Sequence, residues 1–109
     1  MKTKHIEKMD EKSRTRRREI LDAALAGSRQ VGYMLLTSPQ LAERAGCTHG
    51  TIFNHFKDMR NLRRAIMQHA VNMEDAEVVL QGIVTRSHIA MAAPEGLKQK
   101  ALAILNNEE

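Results

Sequence analysis

Aromatic side chains are nearly missing from this chain: Tyr33, Phe53 and Phe56 are the only three in 109 residues, and there is no tryptophan. The core must therefore be built from Leu, Ile, Val, Ala and Met, which suits packed helices better than a β-sandwich. Cysteine occurs once, as Cys47, so an intramolecular disulfide is excluded and a reducing compartment is expected. No apolar run approaches the roughly 20 residues that cross a bilayer, and the charged N-terminus has no secretory character. A cytoplasmic protein with no membrane partner is expected. A glycine-rich phosphate loop, a catalytic carboxylate pair and an activated nucleophile are all lacking. The five histidines show no metal-ligand spacing, His49 and His55 falling six apart on different parts of a helix surface. The chain is expected not to be an enzyme and to need no cofactor.

What is present is positive charge, unevenly placed. Residues 1–64 carry 14 Lys/Arg against 7 Asp/Glu, whereas residues 65–109 carry 3 against 6. Five of the seven residues Lys12–Arg18, KSRTRRR, are basic. A polyanionic partner would lie against the first half of the chain. With 42% hydrophobic and 28% charged residues, the length suits one small folded domain with a single core.

Periodicity and caps give an all-α reading. Residues 1–12 lack apolar periodicity and are expected to form a flexible basic arm. Ile20, Leu21, Ala24, Leu25, Ser28 and Val31 follow helical spacing, so a first helix should run from about Ser13 to Val31, with Gly32 as its stop and Tyr33 packed back on its last turn. Thr37 and Gln40 have capping-box spacing for a second helix, which Gly46 ends. Cys47 falls in the turn, where a small buried apolar side chain is expected. Thr48 caps a third helix whose buried face is Ile52 and Phe56. Asp58 caps a longer fourth helix with Leu62, Ile66 and Ala70 on its spine, expected to break near Asn72 or Gly82. Ser87–Ala93 suggests a short helix, and Pro94 the first residue of a last one carrying Leu97, Ala101, Ile104 and Leu105. Met67, Met73 and the Leu80–Val84 region read either as core or as a dimer seam with that last helix. The organisation is then an arm over 1–12, a head over 13–64, and a helical extension over 65–109 packed with the head.

Two short helices joined by a tight glycine turn, within Thr37–Leu62, form a helix-turn-helix, which lays its second helix in the major groove of DNA. At the front of the third helix, His49, Gly50, Thr51 and Asn54 are the candidates to read bases, since short polar groups reach the groove floor and glycine admits a close backbone. Gly50 and Asn54 point away from the buried face. Thr37, Thr48, Phe53, Lys57 and Arg60 lie where phosphate contacts are expected.

The run Ile20–Leu62 resembles the N-terminal DNA-binding domain of the TetR family of transcriptional regulators. The resemblance rests on Ile20-Leu21-Asp22-Ala23-Ala24, on Gly32-Tyr33, on the capping Thr37, on Ala45-Gly46, on Gly50-Thr51-Ile52-Phe53-Asn54-His55-Phe56 and on Leu62. Departures are Ser28 where the family carries an aromatic, Gly27 where it carries an apolar residue, Phe53 for the signature tyrosine, and Met59 for a lysine. The resemblance implies a TetR-like three-helix head, followed here by a longer helix and one or two short C-terminal helices. It implies that His55 contacts phosphate or supports the third helix by bridging to helix one, and that Arg14, Arg16, Arg17 and Arg18 at the entry to helix one contact phosphate or the minor groove. It also implies a sequence-specific regulator that binds double-stranded DNA as a homodimer on a near-palindrome and represses by promoter occupancy. Only some 45 residues follow Ala65, too few to enclose a ligand cavity, so no small-molecule effector is expected, and a protein partner is one alternative means of control. The rival readings are an architectural or packaging oligomer like a small terminase subunit, and a module that grips another regulator or polymerase.

Overall fold

Nothing between residues 1 and 26 stops a helix: the first glycine is Gly27 and the first proline Pro39. The computed structural model describes the backbone of residues 2–107 and the side chains of residues 11–107, and its first element, α1, runs unbroken over Lys2–Val31. The helix thus begins well before Ser13. Its backbone includes residues 2–12, for which an arm was expected, because apolar periodicity marks only the part of a helix that packs on something.

Six more helices follow: α2 Ser38–Ala45, α3 His49–Phe56, α4 Met59–Asn72, α5 Ala76–Val84, α6 His88–Met91 and α7 Glu95–Asn107. The described residues contain no strand. Each of α2 to α6 is started by a side-chain cap. Thr37 completes its capping box with Gln40: the Gln40 backbone N–H donates to Thr37 Oγ1 at 3.2 Å, and the Thr37 N–H to Gln40 Oε1 at 2.9 Å. Asp58, Asp75 and Ser87 cap α4, α5 and α6 in the same sense. Gly46 ends α2 at φ 68°, and the Cys47 N–H returns to the Ala42 carbonyl at 3.0 Å. Half-buried Cys47 lies against the core.

One continuous core joins the head to the extension. Ile20 and Ala24 of α1, Leu41 of α2, Ile52 of α3, Leu62, Ile66 and Met67 of α4, and Val78 and Val79 of α5 are all essentially inaccessible. Met67 is core and not a seam, since it fills the space under Gly82. A Cβ built on Gly82 would fall 2.6 Å from Met67 Sδ and 2.5 Å from Ala90 Cβ. That glycine lets α4, α5 and α6 meet. Met73 and Val84, by contrast, are exposed, because the chain turns at Glu74 (φ 55°) and ends the spine there. On α7, Leu97 and Ala101 are buried and Ile104 half-buried, while Leu105 faces out.

The α1–α2 loop is clasped to α5. The Tyr33 hydroxyl lies 2.5 Å from Thr85 Oγ1, and the Tyr33 N–H donates to Gln81 Oε1 at 2.8 Å. Gln81 Nε2 donates in turn to the Ser28 carbonyl at 2.8 Å, and Arg29 pairs with Asp75. Tyr33 therefore ties helix one to α5 and is not merely folded over its own helix. Deeper in the same seam, His69 Nε2 of α4 lies 2.7 Å from Asp22 Oδ1 of α1.

Gly27 and Ser28 are where a larger pair was missed in the sequence. The space beside Gly27 is taken by Leu36 and the Arg44 stem, 3.0 and 3.2 Å from where a Cβ would sit. Ser28 is fully buried, and its Oγ has no hydrogen-bond partner. An unsatisfied buried hydroxyl costs about 1–3 kcal/mol. Ser28→Ala is expected to stabilise the fold by about 1 kcal/mol, raising Tm by roughly 5 °C. A fall in Tm on thermal unfolding would show that the hydroxyl has a partner.

Candidate nucleic-acid interface

α3 is fixed from both ends and from beneath. Thr48 sits in extended backbone, and its Oγ1 accepts from the Thr51 N–H at 3.2 Å and lies 2.9 Å from Thr51 Oγ1. Ile52 and Phe56 are buried, and at about 100° per residue this turns Gly50 and Asn54 outward, where both are exposed. His49 is exposed, with Nδ1 3.2 Å from Ser38 Oγ and its ring centroid 4.8 Å from that of half-buried Phe53. Of the residues expected to read bases, Gly50 and Asn54 are therefore uncommitted. His49 is braced on one side by α2, and the Thr51 hydroxyl is engaged by its own cap. A Cβ on Gly50 would meet nothing closer than Thr48 Oγ1 at 3.9 Å, so no internal contact requires glycine there.

The basic run of α1 divides into one shared surface and one arginine apart from it. At about 100° per residue, Arg14, Arg17 and Arg18 share an arc and Arg16 faces away. Arg16 lies 3.9 Å from Glu19, and Arg14, Arg17 and Arg18 line a shallow cleft with His69, Asn72 and Met73 at the far end of α4. Arg17 also contacts α3 directly. Its guanidinium carbon sits 4.5 Å from the Phe56 ring centroid, and Nη1 donates to the His55 carbonyl at 3.3 Å. A cation on the ring face and at a helix C-terminus is favoured twice over. Burial, then the Arg17 charge, then that of Arg16 hold the His55 pKa below its ordinary value. His55 is thus a neutral hydrogen-bonding group at pH 7.

Thr37, Lys57 and Arg60 are all exposed around α3. Lys57 ends α3 at φ 69°, and only Lys57 and Asp58 separate α3 from α4. Arg17, His55 and Lys57 share a notch of about 410 Å³ with Asn61 and Arg64, which the sequence analysis missed. The spacing Arg60–Arg64, one helical turn from an expected phosphate contact, was the available signal.

The comparison with known families decides what this arrangement is. The model described as "Bacterial regulatory proteins, tetR family" matches residues 20–66. Residues 20–66 are a tetR-family helix-turn-helix domain. Among curated relatives, the "HTH-type transcriptional regulator BetI" of Serratia proteamaculans is 39% identical over 57 residues, covering 52% of this chain and 29% of the relative. The BetI regulator of Escherichia coli is 35% identical over 83 residues, covering 63% of this chain and 43% of the relative. The chain thus spans less than half the length of these relatives. No solved structure matches it. The tetR-family domain takes in α1 from Ile20, the whole of α2 and α3, and α4 as far as Ile66. No described helix is long and apolar enough to cross a membrane.

Proposed function

We propose that the chain is a sequence-specific DNA-binding transcriptional regulator, inserting α3 in the major groove and repressing by promoter occupancy as a homodimer. The observation that carries this reading is the outer face of α3. Gly50 and Asn54 are exposed and unengaged within a tetR-family domain, and Gly50 has no internal reason to lack a side chain. A duplex pressed against that face supplies the reason. His49, Thr51 and Asn54 then read bases, while Thr37, Thr48, Phe53, His55, Lys57, Arg60 and the arginines Arg14, Arg16, Arg17 and Arg18 meet the backbone. Dimerisation is supported by the exposed apolar side chains Val84, Leu102 and Leu105 on α5 and its neighbour α7.

Selection of sites from random duplex DNA tests the reading, with an enriched inverted repeat as the expected product. Failure to enrich above salt-sensitive background would favour a protein-binding module, and a many-subunit ring in light scattering would favour a packaging oligomer. On the recovered site, Asn54→Ala should cost about 1–3 kcal/mol of discrimination against random DNA. Thr51→Ala should cost less, since its hydroxyl is already bonded to Thr48. Equal losses on selected and random duplex would remove Asn54 from the base-reading set.

A further inference from the structure

Where the tetR-family domain meets the extension, the α1–α2 loop, the first turns of α4 and the α5–α6 loop line a cleft of about 450 Å³. Its wall carries four arginines, Arg60, Arg63, Arg64 and Arg86, together with His88, and no carboxylate. Among the described residues none of these four guanidinium groups has an ion-pair partner or donates a hydrogen bond. Arg63 adds an independent sign: its Nε is closed off from solvent and has no acceptor. Arg60, Arg64, Arg86 and His88 are exposed and Arg63 is half-buried, and like charges gathered on one wall without counter-charge repel one another unless an anion neutralises them. The cleft also has an apolar side, made by Tyr33, Met34 and Ile89.

We propose that this cleft binds a small organic anion carrying at least two negative charges, a phosphate ester or a polycarboxylate, with its apolar portion against Tyr33 and Ile89. Guanidinium forks pair bidentately with carboxylate or phosphate oxygens, and several can share one multivalent anion. The volume falls within the range of small-molecule sites. The cleft is open and lies between head and extension, so it needs no long C-terminal domain to enclose it. A duplex is the other source of phosphate, but its rigid outer surface presents oxygens along a convex rod and does not fill a cleft. The cleft shares Arg60 with the DNA-binding reading and Arg64 with the notch beside α3, whereas Arg63, Arg86 and His88 belong to the cleft alone.

The test uses the full chain without DNA. Calorimetric titration with pyrophosphate, and separately with citrate, at ionic strength fixed by sodium chloride should give saturable one-site binding, and each bound probe should raise Tm. Which of the two binds tighter tells phosphate from carboxylate. Arg86→Asn removes one charge at a position with φ 61°, where asparagine is better tolerated than arginine, so the fold should survive. The variant should bind the preferred probe at least about tenfold more weakly and lose its thermal shift. Its affinity for duplex should match that of the parent. Absence of saturable binding by either probe, or equal binding by parent and variant, overturns the proposal. A loss of duplex affinity in Arg86→Asn as large as that in Arg17→Ala also overturns it, by assigning the cleft to the DNA backbone.

Discussion

Gly82→Val is expected to lower stability by about 3 kcal/mol and Tm by roughly 15 °C, the largest effect of any single change proposed for this protein. The cause is distance. Even a lone Cβ at this position falls 2.5 Å from Ala90 Cβ and 2.6 Å from Met67 Sδ and Cε. Met67 is flexible and can retreat, but Ala90 can move only with the backbone of α6. Gly82→Ala recovers up to about 1 kcal/mol of helix propensity and should therefore lose less than valine. Gly96 supplies the control. It is also helical, yet nothing lies within 4 Å of its Cβ position, so Gly96→Ala should be neutral or mildly stabilising. Thermal unfolding of the three variants distinguishes packing from propensity. If Gly82→Val melts with the parent, the contact among α4, α5 and α6 is not as close as described.

Arg17→Ala is expected to weaken duplex binding by about tenfold, alike on selected and random sequences, and to reduce the salt slope by about 0.9. Two roles combine here. Arg17 is proposed to meet a phosphate, and it also holds the end of α3 through Phe56 and the His55 carbonyl. The His55 pKa separates them. Burial, Arg17 and Arg16 all lower it, so removing Arg17 should raise it towards the ordinary value of about 6.5, visible in an NMR titration. The sign for stability follows. A histidine whose folded pKa is lowered leaves more protons bound to the unfolded chain, so stability falls as pH drops from about 6.5 through the folded pKa. That loss should be smaller in Arg17→Ala. An unchanged His55 titration would show that Arg17 does not sit against α3.

How much of this was legible in the sequence depends on the range of the interaction. The starts of α2, α3 and α4 were legible because Thr37, Thr48 and Asp58 bond backbone groups only three residues on. The buried face of α3 was legible because Ile52 and Phe56 are a helical turn apart. The break after α4 was expected near Asn72 or Gly82 and falls at the first, but its form was not legible: Glu74 takes the left-handed conformation that glycine usually marks. The extent of α1 was hidden because residues 2–12 carry no apolar periodicity to mark a helix. The contacts that shape the site were hidden for another reason. Arg17 meets the His55 carbonyl across 38 residues, and Tyr33 meets Thr85 across 52. The arginine cleft likewise joins residues 60–64 to residues 86–88. Each half carried an ordinary surface pattern, and only the fold adds their charges together.

The turn at Lys57 and Asp58 has a mechanical consequence. With two residues between α3 and α4, there is no slack in the connection, and α3 must follow any axial slide or roll of α4. The clasp through Tyr33, Gln81 and Thr85 closes the other side, binding the entry to α2 to the end of α5. Head and extension thus form a closed linkage of rigid rods on two short hinges. A push delivered at the α5–α6 corner is therefore expected to reach α3 as a change of pitch.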